Sequence, residues 1–364
     1  MPSSRYRAPD FTRPPFAGAP EARFAAVPAD GVLPDGFFST SNLPTYLHLG
    51  GGQWVLPTRP RMDCAILRRQ GGVEVIEPRR LQAGDLVAMG EAEDGSEGIF
   101  VHAEGFLAGA GGPAEFRFMS TEVSRERPVN YEELAGRLLE ERVRGGYLVW
   151  VAGPALVHSR ARQDFEWFIR HGFVQAVLAG NAVAVHDIEA AIYGTTLGMD
   201  SAGQPTARGH ALHMRAINQV RAVGSIEGAV ESGMVGSGIM HALVTHGVPY
   251  VLAGSIRDDG PLPGVLPDAL TAQDAMREHC VRATGAIFVA TALHAIAVGN
   301  MLPAYHTHYG TPAELMTICV DQTEFVVNKL KDRGTHQAYG VVTNAQDFMT
   351  VLRFYAERAG GGAA

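Results

Sequence analysis

Six apolar runs constrain the fold of the chain most. In chain order they are YLVWVAG, FVQAVLAG, VPYVLAG, AIFVAT, MTICVD and AYGVVTN, spread between residues 147 and 344. Most are almost continuously hydrophobic, which is typical of strands that are covered on both faces. Helix-like segments such as ARQDFEWFIRHG and ALTAQDAMREHCVRAT lie between them. Alternating strands and helices predict an α/β fold with a parallel, doubly wound sheet.

The preceding part of the chain has a different pattern. Between residues 31 and 128, short β-like runs such as QWVLP, GVEVIEP and EFRFMS are separated by Gly, Pro and Asp turns. This spacing predicts a smaller, β-rich N-terminal domain. Residues 1–30 are rich in Pro, Ala and Arg and predict a poorly ordered arm. The α/β domain is expected over 129–358, beginning with the helix YEELAGRLLEERVRGG, and 359–364 form a flexible tail.

Composition excludes several classes of function. A net charge of -8 argues against a nucleic-acid partner, which requires a basic surface. No stretch resembles a membrane span or a targeting segment, so no membrane association is expected. Cys64, Cys280 and Cys319 are far apart and show no CxxC spacing. We therefore expect no zinc site or other metal, no disulfide framework, and a reducing, cytoplasmic location.

Lysine is almost absent from the sequence. Only Lys329 and Lys331 occur, in the polar stretch FVVNKLKDRG that reads as a solvated helix end. Enzymes that form a Schiff base need a lysine in the pocket, and arginine cannot replace it. If the protein processes amines, another electron sink is needed. A nicotinamide cofactor is the obvious choice.

Polar residues follow the predicted strands, at the edge where open α/β sheets bind ligands. Asn181 and Asn300 each follow a glycine, where they can form a left-handed turn or donate an amide to a ligand. Asp321 ends the run TICVD, where an acid can bind ribose hydroxyls or simply form a turn. The usual dinucleotide motif GxGxxG is absent, which disfavours an ordinary Rossmann dehydrogenase. Short Gly-Asn and Gly-Ser turns could still hold a pyrophosphate.

Two clusters of charged residues are further candidates. Arg257, Asp258 and Asp259 are adjacent, so mutual repulsion could raise one carboxyl pKa towards that of a general base. The same residues are also typical of an exposed turn. His186-Asp187-Ile188-Glu189 could hold a metal or could simply begin a helix. His294 follows an apolar run, where a histidine satisfied within the core is the default interpretation.

Seven strings, taken in order, resemble the archaeal-type ornithine cyclodeaminases, also described as LOR/SDH-like proteins. The same module forms the C-terminal part of bifunctional arginine dihydrolase/ornithine cyclodeaminases. The resemblance runs from about residue 33 to 355. The matching strings are PDGFFSTSNLPTY, FMSTEVSRERPV, GNAVAVHDIEAAIYGTTLG, VPYVLAGSIRDDGPLP, ATALHAIAVGNMLP, ICVDQTE and DRGTHQAYGVVT.

The resemblance implies a β-rich N-terminal domain and a Rossmann-like NAD-binding catalytic domain, in a homo-oligomer such as a dimer or tetramer. It also implies the conversion of L-ornithine to L-proline and ammonia, with NAD recycled within each turnover. A related diamino acid could be the substrate instead. The choice between NAD and NADP is left open.

The resemblance also implies roles for individual residues. The implied contacts to the nucleotide and nicotinamide are Asn181, Ala182, Asp258, Thr291, Asn300 and Asp321. The implied residues for substrate binding and proton transfer are Asp187, Glu189, Arg257 and Asp259. The loop TSNLPTY, with Ser41, Asn42, Thr45 and Tyr46, is expected to close over the substrate.

Two other functions are compatible with the same residues. One is a net dehydrogenase of the opine or saccharopine type, because the substrate end of the site is unspecified. The other is an NAD-binding protein without catalysis, although the acidic and amide residues of the predicted site argue against it.

Overall fold

The computed structural model describes residues 6–106, 129–158, 161–200, 202–256, 258, 260–324 and 338–360. The chain divides into two compact units. The first unit contains the described residues up to 106 together with 300–315. The second contains the described residues between 129 and 299, with 316–324 and 338–360.

The first unit consists of small antiparallel sheets. Its strands are β1 (Arg23–Ala26), β2 (Thr45–His48), β3 (Trp54–Val55), β4 (Ala65–Arg69), β5 (Gly72–Ile76), β6 (Leu86–Met89) and β7 (Ile99–Val101). One sheet has the order β1-β6-β4-β5 and another the order β3-β2-β7. A two-stranded hairpin of β12 (Tyr305–His306) and β13 (Ala313–Glu314) belongs to the same unit. Leu47, Ile66 and Ile99 are fully buried in its core.

The first unit differs from the prediction in the segment before residue 31. The poorly ordered arm expected over 1–30 contains strand β1, which pairs with β6. Within the same stretch, Phe11 stacks on Trp54 with ring centroids 5.0 Å apart, and Phe16 packs against Phe100. These aromatic contacts give the Pro- and Ala-rich segment a fixed position that its average composition does not indicate. The predicted run EFRFMS lies outside the described residues.

The second unit is built around one parallel sheet. Its strands are β8 (Leu148–Ala152), β9 (Ala176–Gly180), β10 (Tyr250–Ala253), β11 (Gly285–Val289), β14 (Met316–Asp321) and β15 (Ala338–Val342). Five lie within predicted runs and β11 begins one residue before its run, and their order in the sheet is β10-β9-β8-β11-β14-β15. All five neighbouring pairs are parallel. The predicted α/β class with a doubly wound sheet is therefore confirmed.

Helices cover this sheet and supply most of its core. They are α1 (Tyr131–Val143), α2 (Ala155–His158), α3 (Ala161–Arg170), α4 (Asn181–Tyr193), α5 (Leu212–Val223), α6 (Ile226–Glu231), α7 (Ile239–Thr245), α8 (Ala269–Arg282), α9 (Leu293–Met301) and α10 (Ala345–Gly360). Asn130 caps α1 because its side chain accepts a hydrogen bond from the N–H of Glu133 at 3.0 Å. Trp150, Phe165 and Phe168 are almost completely buried between sheet and helices. Such burial contributes roughly 1.5–3 kcal/mol per large apolar side chain.

Two searches of the described ranges were negative. None of their helices has the length and apolar character needed to cross a membrane. Nor does any group of three or more His, Cys, Asp or Glu residues lie close enough together there to hold a metal ion.

Candidate active site

The carboxyl ends of the parallel strands meet at one edge of the sheet. In register, Ala152 of β8 lies beside Ala179 of β9 and Val289 of β11. In chain order the six strands are arranged 3-2-1-4-5-6, so the winding direction reverses between β8 and β11. Ligands of open α/β sheets bind in the crevice outside such a reversal. The candidate site therefore lies where β8 and β11 end.

Backbone segments approach each other closely at this reversal. The N–H of Gly153 donates to the carbonyl of Val289 at 2.9 Å. A Cβ atom added to Gly153 would lie only 1.7 Å from the carbonyl oxygen of Ala290. Ala290 itself has a φ of 55°, a left-handed conformation that non-glycine residues seldom adopt. A glycine at 153 is thus required for the loops after β8 and β11 to meet, and strain of this kind is concentrated at functional sites.

Strand β9 leads directly into α4 at the same edge. Gly180 precedes the helix and offers no side-chain cap, and Asn181 and Ala182 open its first turn. Asn181 is 5% exposed, and its Oδ1 accepts a hydrogen bond from the N–H of Leu262 at 3.1 Å. It therefore also holds the loop that follows β10. The uncapped N–H groups of a 13-residue helix provide a favourable environment for an anionic group.

His294 lies across the end of β9, although the sequence suggested only a core histidine. It belongs to α9, which follows β11, so its ring crosses the end of β8 to reach Gly180 of β9. Its Cε1 is 3.0 Å from the position that a Cβ of Gly180 would occupy. The side chain is partly buried, and this desolvation lowers the pKa of the imidazole. Sequence patterning missed it because an apolar flank is typical of both core and site histidines.

Asp187 is completely buried and is bonded on both carboxylate oxygens. Oδ1 accepts from Arg162 Nε at 2.6 Å and from the N–H of Ile239 at 2.9 Å, and Oδ2 accepts from the N–H of Met240 at 2.7 Å. Burial raises the pKa of this carboxyl, and the charge of Arg162 together with these three hydrogen bonds opposes that shift. Asp187 caps α7, whose own N-cap residue, Gly238, has no side chain. The catalytic role inferred for Asp187 stays a prediction, and these contacts favour a structural one.

Glu189 is also fully buried, two residues further along α4. Its carboxylate accepts from the Thr195 hydroxyl at 3.0 Å and from the N–H of Gly198 at 2.9 Å, and it lies 3.3 Å from His186 Nδ1. Burial opposes ionisation, but the bonds from His186, Gly198 and Thr195 outweigh it and lower the pKa of Glu189. Because the helix begins at Asn181, these residues lie beyond the helix start at which they were expected. Their contacts order the turn after α4, and a catalytic role for Glu189 stays a prediction.

Three predicted cofactor residues lie at the same edge. Asp258 Oδ2 accepts from the N–H of Ser255 at 2.8 Å, which stabilises the loop after β10. Asp321 ends β14, and its Oδ1 accepts from the N–H and hydroxyl of Thr323, both at 2.9 Å. Thr291 is partly exposed directly after the strained Ala290. The structure thus places all three at strand ends, and their contact with a nucleotide stays a prediction.

Several predicted residues cannot be placed in the same way. Arg257 and Asp259 lie outside the described residues, as do Lys329 and Lys331. Asn300 is on α9, and its Oδ1 is buried without a hydrogen-bond partner in the described part of the chain. A buried acceptor without a partner costs roughly 1–3 kcal/mol, and the contact of this oxygen with a ligand donor stays a prediction.

The segment predicted to close over the substrate belongs to the first unit. Thr45 and Tyr46 are in strand β2, so only Ser41 and Asn42 lie in a loop. The Tyr46 hydroxyl is 2.6 Å from that of Tyr6. Ser41 Oγ accepts from the N–H of Leu43 at 3.2 Å, and the buried Asn42 accepts through its carbonyl from the N–H of Ala304 at 2.9 Å. Pairing of β2 with β7 is a long-range contact that the local sequence does not reveal.

The sheet order and the close approach at the reversal define a Rossmann-type, nucleotide-binding class of protein. Two family models match the chain. Residues 132–352 match "Arginine dihydrolase ArgZ-like, C-terminal, Rossmann fold", and residues 44–132 match the first region of the same C-terminal part. The chain belongs to this ArgZ-like C-terminal family, which confirms the resemblance inferred from the seven strings.

Individual relatives extend the match. An ornithine cyclodeaminase from Methanopyrus kandleri is 43% identical over 91% of this chain and 77% of its own length. The crystal structure of a LOR/SDH protein from Methanococcus maripaludis matches with a TM-score of 0.83 at 38% identity, covering 93% of this chain and 99% of that one. AgrE, solved in a ternary complex with ornithine and NAD⁺, matches with a TM-score of 0.60 at 36% identity, covering 95% and 47%.

Proposed function

We propose that the protein is an ornithine cyclodeaminase that converts L-ornithine to L-proline and ammonia with NAD as its cofactor. One observation carries the proposal: 43% identity to the Methanopyrus ornithine cyclodeaminase extends over 91% of the chain. The match to AgrE bound to ornithine and NAD⁺ supports the same substrate and cofactor. An enzyme of this kind is an ammonia-lyase, since no net oxidation of the substrate occurs.

The residues at the strand ends fit NAD. The first turn of α4, with Asn181 and Ala182, would face the pyrophosphate, since its N–H groups have no side-chain cap. Asp321 would bind ribose hydroxyls, and Asn300 would accept a hydrogen bond from an amide through its partnerless Oδ1. We assign Thr291 and Asp258 to the same pocket because they follow the ends of β11 and β10. Bound NAD supplies a hydride acceptor and donor, the function that the two lysines cannot provide.

We propose that Asp187 and Glu189, the two acids of α4, act mainly by holding neighbouring elements in position. Asp187 fixes α7 against α4, and Glu189 fixes the turn at residues 195–198. Both hold the helix that opens onto the site. Arg257 and Asp259 are proposed to bind the carboxylate and amine of the substrate, because a guanidinium and a carboxylate complement the two charged ends of an amino acid. Ser41, Asn42, Thr45 and Tyr46 are proposed as further substrate contacts.

One assay tests the proposal. The protein is incubated with L-ornithine and a catalytic amount of NAD⁺ while proline, ammonia and absorbance at 340 nm are followed. Equal amounts of proline and ammonia, without lasting NADH, are expected. Continuous accumulation of NADH would instead indicate a net dehydrogenase. Thermal stabilisation by NAD⁺ without turnover would indicate a binding protein.

We also propose a cytoplasmic homo-oligomer that serves proline formation. All three cysteines are buried as thiols, which is compatible with a reducing compartment.

Light scattering of the purified protein tests the proposed oligomer, because it measures the mass of the assembly directly. A monomer at micromolar concentration would contradict the oligomer.

A further inference from the structure

The position of His294 depends on a glycine in a neighbouring strand. With its Cε1 only 3.0 Å from the Cβ position of residue 180, the ring occupies space that any other side chain would enter. Gly180 has φ -90° and ψ 162°, a conformation open to every residue type. The backbone therefore does not require glycine there. Glycine is required at this position because the His294 imidazole approaches it so closely.

Four acids near the strand ends are engaged in internal bonds. Asp187 caps α7, and Glu189 bonds the turn after α4. Asp258 and Asp321 accept hydrogen bonds within their own loops. Among the described residues, no hydrogen bond engages either ring nitrogen of His294. An imidazole at the strand-end crevice thus retains its capacity to exchange a proton with a ligand.

The proposed reaction needs such a group. At neutral pH the α-nitrogen of a diamino acid is an ammonium, whereas its carbon can release a hydride only when that nitrogen has a lone pair. A neutral base must therefore remove one proton before oxidation. Burial lowers the pKa of His294, so the ring is neutral at pH 7 and can accept it.

Resting on the proposed function, we propose that His294 removes the proton from the α-ammonium of the bound substrate. The N–H bond breaks, its electron pair stays on the substrate nitrogen, and the imidazole becomes imidazolium. The same proton is then returned to the nitrogen that departs as ammonia, so the residue ends each cycle neutral. No oxidant or other co-reactant is consumed by this transfer.

The first test replaces the imidazole by an amide. In H294Q, proline formation should fall by about 10²–10⁴-fold, the usual contribution of a positioned acid–base group. The affinity for NAD⁺, measured by titration, should change less than about threefold. A rate within about threefold of wild type would overturn the proposal. A loss of NAD⁺ affinity that accounts for the whole loss of rate would overturn it as well, because the ring would then act in cofactor binding and not in proton transfer.

The second test leaves the imidazole intact and moves it. G180A adds one methyl group whose nearest neighbour is His294 Cε1, and the other nearby atom, the carbonyl oxygen of Ala253, is at an ordinary 3.8 Å. Turnover should fall by about tenfold or more, since small displacements of catalytic groups are costly. G136A is the matched control, because Gly136 lies on α1 with nothing within 4 Å of an added Cβ. Equal rates for the two variants would contradict the inferred position of the ring.

A third measurement does not depend on activity. Diethyl pyrocarbonate acylates imidazoles, and mass spectrometry of the full-length wild-type protein reports the extent at His294. L-ornithine together with NAD⁺ should slow this reaction at His294 by at least about fivefold, while His213 on α5 serves as the reference. Unchanged acylation of His294 would overturn the assignment. If wild type forms no proline at all, the proposed function fails, whatever the outcome for His294.

Discussion

The buried carboxylate of Asp187 allows a quantitative test of its structural role. Substitution by alanine removes the acceptor of one guanidinium N–H and two backbone N–H groups at 2.6–2.9 Å. It also leaves Arg162, whose side chain is 15% exposed, without its closest counter-charge. Removing one partner of a buried ion pair typically costs about 3–5 kcal/mol.

The expected cost lies towards the lower end of that range. Arg162 retains an ion pair with Glu166 at 3.6 Å and a bond to the carbonyl of Ser237 at 3.1 Å. We therefore expect Asp187→Ala to lower the free energy of unfolding by about 3–4 kcal/mol. For a domain of this size, that corresponds to a fall in Tm of roughly 6–16 °C.

Urea unfolding followed by circular dichroism measures this change. Glu231→Ala, at the exposed end of α6, is the control and should alter the free energy by less than about 0.5 kcal/mol. The double variant R162M/D187A should lose less than the sum of the two single variants, because the groups interact directly. A loss below about 1 kcal/mol for Asp187→Ala, combined with abolished turnover, would refute the structural role and favour direct catalysis.

Three further outcomes are expected. Glu189→Gln should cost about 2–3 kcal/mol near neutral pH, as judged by urea unfolding. The folded-state pKa of Glu189 lies below the ordinary 4.5, so its stabilisation is present above pH 4.5 and is lost as the pH falls through the folded pKa. The free energies of unfolding of wild type and Glu189→Gln should therefore converge in acid. A difference that does not change with pH would contradict this. Gly153→Ala should abolish detectable NAD⁺ binding in a titration, since its Cβ would overlap the carbonyl oxygen of Ala290, and retained affinity would show that the loops can separate. Asp321→Ala should weaken NAD⁺ binding by about 1–3 kcal/mol in calorimetry, and an unaltered affinity would leave this residue as a turn former only.

The parallel sheet could be predicted from the sequence because of its burial. Strands such as β8 and β11 are buried along their whole length, so each appears as an uninterrupted apolar run. Strand β2 is just as buried, yet it was expected to be part of a loop. It has four residues and polar neighbours, and its structure depends on pairing with β7, more than 50 residues away in the sequence.

Site residues were predictable only to the level of the strand ends. The sequence places Asn181 and Asp321 after apolar runs, which is sufficient to locate them at one edge of the sheet. It cannot distinguish an acid that faces a ligand from one that caps a distant helix, as Asp187 does for α7. That distinction depends on which backbone N–H groups the fold brings near, here from 52 and 53 residues away.

Helix α4 joins the binding edge to the interior of its unit. Its first turn is open, whereas its second and third turns are fastened through Asp187 and Glu189. Amide hydrogens in the fastened turns should therefore exchange slowly with solvent even without a ligand. A helix held in this way is already in its binding geometry, so a ligand arriving at its free end loses little affinity to ordering the protein.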